Sequence, residues 1–129
     1  MFFIYGTDAP IYHYPIVTTV MVAINVLIHL LVSATGYDVT PWILSFGDGF
    51  HPLQWVTHTF MHGDPIHLIG NMIFLWAFGM VVEGKIGTLR FVALYLMIAW
   101  LDGACTQLPM FLLGSDEFAL GASGVIFAL

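Results

Sequence analysis

Four apolar runs, separated by segments rich in Gly, Pro and Asp, organise the chain. The first, Ile16 to Ala34, is nineteen residues long and carries no formal charge. That is enough to cross a bilayer as one helix. Val32-Ser33-Ala34 loosely fits a signal-cleavage site. The run is too long for a signal peptide and no Lys or Arg precedes it, so the expectation is an uncleaved helix. The second run covers residues 66–82 and is closed by Glu83. The third covers residues 88–107, with Arg90 near its start and Asp102 near its end. The fourth covers residues 118–129 and reaches the last residue, Leu129. Its twelve residues make about 18 Å of helix, too short to cross. The expectation is therefore an incomplete membrane element, from a truncated sequence or a degenerate gene.

Between the first two runs lies a segment of about thirty residues that does not read as a linker. It alternates aromatic and aliphatic residues (Tyr37, Trp42, Ile43, Leu44, Phe46, Phe50, Leu53, Trp55, Phe60) with Gly, Asp and Pro. Trp and Tyr favour the membrane interface. The pattern predicts a partly buried interfacial loop with short helices.

Composition narrows the class. Sixty per cent of the 129 residues are hydrophobic and 8% are charged, against roughly 25% charged in an average soluble domain. Ten charged residues cannot cover a water-soluble globule. A soluble enzyme, a disordered tail and a secreted disulfide scaffold are excluded. Cys105 is the only cysteine and cannot make an internal bridge. Two basic residues exclude a nucleic-acid surface. What remains is a single all-α polytopic membrane domain. Lys85 and Arg90, the two cations, flank the link between the second and third runs. The positive-inside rule puts the 83–90 loop and the N-terminus in the cytoplasm. The segments from Thr35 to Pro65 and from Pro109 to Glu117 then lie outside.

Polar groups within or beside apolar spans are the places to look for chemistry, because burying them unpaired is costly. The densest set is His58, His62, Asp64, His67 and Asn71. His67 and Asn71 stand four apart, on one helix face, one turn from each other. Both can donate side-chain hydrogen bonds. A second motif, Gly121-Ala122-Ser123-Gly124, opens the fourth run. Small neighbours leave the Ser123 Oγ accessible, and free N–H groups at a helix start can stabilise an oxyanion. Each motif alone has a plain alternative: a small-residue packing seam for one, interhelical hydrogen bonding for the other. His58, His62, Asp64 and His67 also form a set of metal-ligand types, which leaves a metal-binding or transport module as a rival. His29, in the middle of the first run, is expected to donate a hydrogen bond between helices, and Asn25, one turn before it on the same face, to point into the bundle with it. Glu83 is expected to pair with Lys85, Arg90 or backbone donors. Asp102 is expected at the outer interface, with a place facing the cavity as the alternative, and Cys105 is read as a packing residue.

The stretch Trp55-Val56-Thr57-His58-Thr59-Phe60-Met61-His62, then His67-Leu68-Ile69-Gly70-Asn71-Met72, then Leu75-Trp76-Ala77-Phe78-Gly79, Val82-Glu83 and Gly87 resembles the rhomboid family of intramembrane serine proteases. Gly121-Ala122-Ser123-Gly124 matches that family's nucleophile motif, at the right interval. The resemblance implies a six-helix core around a water-filled cavity, with about three and a half of those helices in this chain. It makes Ser123 the nucleophile that attacks a peptide carbonyl in or near a substrate's transmembrane helix. It assigns the oxyanion to His67 and Asn71, with the Ser123 backbone N–H as a third donor. Gly121 and Gly124 flank the serine, and His58 and His62 take structural hydrogen-bonding roles. No cofactor or metal is implied.

Two departures qualify the pattern. The family's general base is a histidine on the sixth helix, after the serine. The six residues after Ser123 include no histidine, and a serine hydroxyl is a poor nucleophile without a base. Leu53-Gln54 stands where many members carry Trp-Arg, a feature of loop anchoring rather than of chemistry. The expected function is an intramembrane serine endopeptidase acting on transmembrane protein substrates. The alternative is an inactive rhomboid-like protein that binds transmembrane helices. The lipid bilayer is the other partner, and lack of a transit peptide leans toward a bacterial plasma membrane. Oligomeric state and substrate identity are not legible.

Overall fold

The computed structural model describes residues 12–45, 49–113 and 118–119. Three long helices dominate: α1 (Ile16–Thr35), α3 (Pro65–Ile86) and α4 (Thr88–Leu113). Each contains a stretch long and apolar enough to cross a membrane, ending at Pro109 in α4. Between α1 and α3 lie a 3-10 turn (Thr40–Trp42), the two-residue strand β1 (Leu44–Ser45), the short helix α2 (Gln54–Thr57) and a second 3-10 turn (His58–Phe60). The architecture is a helical membrane bundle with a folded connecting segment.

The helix ends follow from local chemistry. Asp64 is extended and its side chain accepts from the His67 N–H at 2.8 Å, while Pro65 opens α3. This is an N-cap followed by the residue best tolerated at the first helical position. Gly36 ends α1 in the left-handed region, φ 65°, and its N–H returns to the Val32 carbonyl. Gly87 alone separates α3 from α4, with φ 87° and ψ 160°, a backbone region that is essentially glycine-only.

The start of α1 is capped from another helix. Pro15 offers no side-chain cap, so the first N–H groups need an outside acceptor. Glu83, in the last turn of α3 and fully buried, supplies it. One carboxylate oxygen accepts from the Val17 N–H at 2.9 Å and the Thr88 hydroxyl at 3.0 Å. The other accepts from the Thr18 N–H at 2.7 Å and its hydroxyl at 2.8 Å. One side chain thus joins α1, α3 and α4. Of the partners expected for Glu83, the backbone donors are the ones found; Lys85 and Arg90 are exposed. One turn earlier, α1 and α3 touch closely. A Cβ on Gly79 would lie 2.7 Å from the Thr18 hydroxyl and methyl, so only glycine permits this approach.

The main core is Met21, Leu68, Met72, Leu75, Phe91, Tyr95 and Ala99. Opposite faces of the same helices expose Ile16, Val20, Leu27, Ile66, Ile69, Ile73 and Leu89, as surfaces that meet lipid do. A smaller core of Leu44, Trp55 and Ala104 joins the connecting segment to α4. Here too glycine is needed: a Cβ on Gly103 would fall 2.5 Å from the Trp55 backbone.

Two sequence expectations change. Pro109 does not begin a loop, because α4 continues through it to Leu113. Proline removes one N–H and strains the turn before it, yet the helix runs on for four residues beyond it. Phe118 does not begin a helix. Phe118–Ala119 forms strand β2, antiparallel to β1, with Leu44 opposite Ala119 and Ser45 opposite Phe118. The remainder of the fourth run lies outside the described residues.

The cross-helix cap predicts a large loss at one position. Glu83→Ala strands two buried N–H groups and two hydroxyls, and is expected to cost on the order of 3 kcal/mol. Denaturant titration in mixed micelles measures it. A loss no larger than that of an exposed Lys85→Ala control would show that the carboxylate does not hold the helices together.

Candidate active site

The first turns of α3 carry the two donors named by the sequence. The backbone of His67 is fixed by the Asp64 cap, and its side chain is partly exposed. Asn71, one turn on, is 8% exposed, and its Nδ2 is buried without a hydrogen-bond partner among the described residues. A buried amide donor left unpaired is costly and calls for an explanation. Ser123, Gly121 and Gly124 lie outside the described residues.

The histidines separate into two groups. The His58 Nδ1 lies 2.8 Å from the Gln54 carbonyl, and its Nε2 lies 3.6 Å from the Asp102 carboxylate. Asp102 therefore faces the connecting segment while its side chain stays about one third exposed, at 34%. The His62 ring meets the His67 ring edge to face, with centroids 5.3 Å apart and planes 67° apart. Both His62 nitrogens are buried and lack a partner in hydrogen-bonding geometry among the described residues. Burial pushes the His62 imidazole down to about 4, and charge on His67 and then His29 adds to this. The Phe60 backbone and the Asp64 carboxylate oppose it less strongly.

This division undoes the metal-ligand set suggested by spacing. His58 is engaged by Gln54 and Asp102, and Asp64 by the helix cap. Among the described residues no three His, Cys, Asp or Glu side chains converge as a metal site. Asn25 is fully buried, pointing into the bundle as expected, and its Nδ2 donates to the Met21 carbonyl of its own helix at 2.8 Å. His29 lines a small cavity of about 60 Å³ with Ile28, Val32, Val39, Met61 and His62.

Sequence reading missed how the connecting segment is anchored. Gln107, fully buried on α4, accepts from the Trp55 indole N–H and from the His51 N–H. Its place near the end of an apolar run was the available signal, since an amide there needs partners. Gln54 is buried as well and donates to the Pro41 carbonyl at 3.3 Å. The Thr57 hydroxyl adds a bond to the Trp42 carbonyl at 2.8 Å. Gln54 thus ties the loop together.

Comparison with known proteins agrees with the motif reading. A family model described as a rhomboid domain matches residues 50–129. The chain is 28% identical over 118 residues to the Rhomboid protease GlpG of Photorhabdus laumondii, covering 89% of this chain and 40% of that protein. It is 29% identical over 119 residues to the Rhomboid protease GlpG of Salmonella choleraesuis, covering 89% and 41%. The chain spans about two fifths of the length of these curated relatives.

The Asp64 cap sets where His67 begins its helix. Asp64→Ala is expected to cost about 1 kcal/mol and to speed hydrogen exchange at the His67 amide. Unchanged protection of that amide would show that the cap does not hold it.

Proposed function

The chain belongs to the rhomboid family, and on that premise we propose that it acts as an intramembrane serine endopeptidase on transmembrane protein substrates. Ser123 is the nucleophile. Its Oγ adds to the carbonyl carbon of the scissile peptide, and the carbonyl oxygen becomes the oxyanion. His67 and the Asn71 Nδ2 donate to that oxygen, with the Ser123 N–H as a third donor. Donors fixed before the charge develops need no reorganisation when it appears. The observation that carries this reading is the buried, unpaired amide of Asn71, one turn from His67.

The serine proton needs a base. In the family that base is a histidine later in the chain, and the six residues after Ser123 include none. The reading therefore requires a histidine supplied from outside these 129 residues. The protein is an integral membrane protein. A bacterial plasma membrane, with the N-terminus and the 83–90 loop inside, is the placement that Lys85, Arg90 and the bacterial relatives support.

The test uses the full-length protein in liposomes with a helical membrane substrate. Ser123→Ala is expected to abolish cleavage, and Asn71→Ala to lower kcat by about 10²–10³-fold. Cleavage at the wild-type rate by Ser123→Ala would end the protease assignment. Helix binding without cleavage by the wild type would favour an inactive relative.

A further inference from the structure

Three histidines from three parts of the chain meet where α1, the connecting segment and α3 come together. His29 belongs to α1, His62 to the end of the connecting segment, and His67 to the first turn of α3. His62 is central: its ring packs edge to face on His67, and it shares a small cavity with His29. The walls of that cavity are mostly aliphatic.

We propose that His29, His62 and His67 form a proton-sensitive latch that joins α1 to the start of α3 while the rings are neutral and loosens as they gain charge. An uncharged imidazole packs against an aromatic edge and aliphatic walls as a flat, largely apolar ring. Protonation changes the same contacts. The His62 nitrogens are buried without a partner in hydrogen-bonding geometry among the described residues, and the Phe60 backbone stabilises an imidazolium less than burial and the neighbouring rings disfavour it. A second cation at 5.3 Å, the separation of the His62 and His67 rings, is repelled at this short range. The charged and titratable groups acting on His62 are His67 from α3, His29 from α1 and Asp64 from the cap. The one carboxylate among them is also the weakest influence and is already engaged by the His67 N–H. It does not offset two neighbouring cations.

The direction of the pH effect follows from proton binding. The His62 imidazole is held near 4 in the fold against about 6.5 in the free side chain. Between those values the unfolded chain binds more protons, so stability falls as pH falls through that window. The latch itself rests on the packing of the rings and the burial of the His62 nitrogens. Its consequence for catalysis, a displaced His67 at acid pH, rests on the oxyanion role proposed above.

The experiment uses the full-length protein in phosphatidylcholine nanodiscs, whose headgroups do not titrate in this range. Histidine side-chain NMR is expected to place the His62 midpoint near 4. His29→Leu, which keeps the apolar face of α1, is expected to raise that midpoint by at least about half a pH unit, because a nearby positive charge is removed. Thermal unfolding gives the second readout. The gap in Tm between wild type and His62→Phe is expected to change between pH 6.5 and 4.5, since phenylalanine keeps a ring and takes no proton. A purely structural role would shift Tm equally at every pH. A His62 midpoint near 6.5, or one unmoved by His29→Leu, or parallel Tm curves, would overturn the latch. Neither readout uses cleavage, so the latch and the protease reading can fail separately.

Discussion

One buried carboxylate holds the helices in register. Glu83 is fully buried, and its bonding partners among the described residues are all neutral donors. A buried charge is tolerated only when its hydrogen bonds are made. Glu83 meets that condition with two backbone N–H groups and two hydroxyls, and it sits at the positive end of the α1 dipole. The arrangement works in both directions. Helix α1 begins with a proline that cannot cap it, so without Glu83 its first turn would be left open in an apolar setting. The carboxylate and the helix start each answer the other's polar demand, and Thr88 extends the link to α4.

The same rule shapes the other end of the bundle. Aromatic residues of the connecting segment bury apolar area against α4, but the segment's N–H groups need partners. Gln107 accepts from the Trp55 indole N–H and the His51 backbone N–H from within a largely apolar helix. Gln54, Thr57 and Pro41 close the segment on itself. Strand β1 adds one short antiparallel pairing with Phe118–Ala119. Few polar atoms sit in this interior, and most of them are spent fixing one element against another.

That economy explains what was legible in the sequence. Long apolar runs can satisfy their backbone only as helices in a bilayer, so the three long helices follow from hydropathy. The four-residue interval from His67 to Asn71 puts both on one face whatever the rest of the fold does. Glu83 announces itself as a buried acid in need of donors, but all its partners except Thr88 lie on α1, more than sixty residues earlier. No local pattern names them. Spacing also misled. His58, His62, Asp64 and His67 are close in sequence and read as ligands, yet the short helix α2 and the extended turn before α3 send them to different neighbours. Ser123 carries its signal in a motif, so the sequence identifies it where the described residues do not reach.

The position of the candidate oxyanion donors follows from how α3 is seated. His67, Asn71, Leu75, Gly79 and Glu83 recur every four residues along the whole helix. Such a row is one ridge of the helix surface. Each step of four residues advances about 40° around the axis, so the ridge winds gradually from one neighbour to the next. At its far end Glu83 bonds to α1, and Gly79 lets the Thr18 side chain lie against the backbone. These two contacts fix the rotation of α3 about its own axis. Once that rotation is set, Leu75 must enter the core, where it is fully buried. Asn71 must then follow the ridge inward, and His67 must emerge toward His62. The Asp64 cap fixes the remaining freedom at the start of the helix. A change at Glu83 therefore reaches Asn71 through rotation of a rigid helix, at a distance of three turns. The polar bonds that keep the bundle together are also what fix the places of His67 and Asn71.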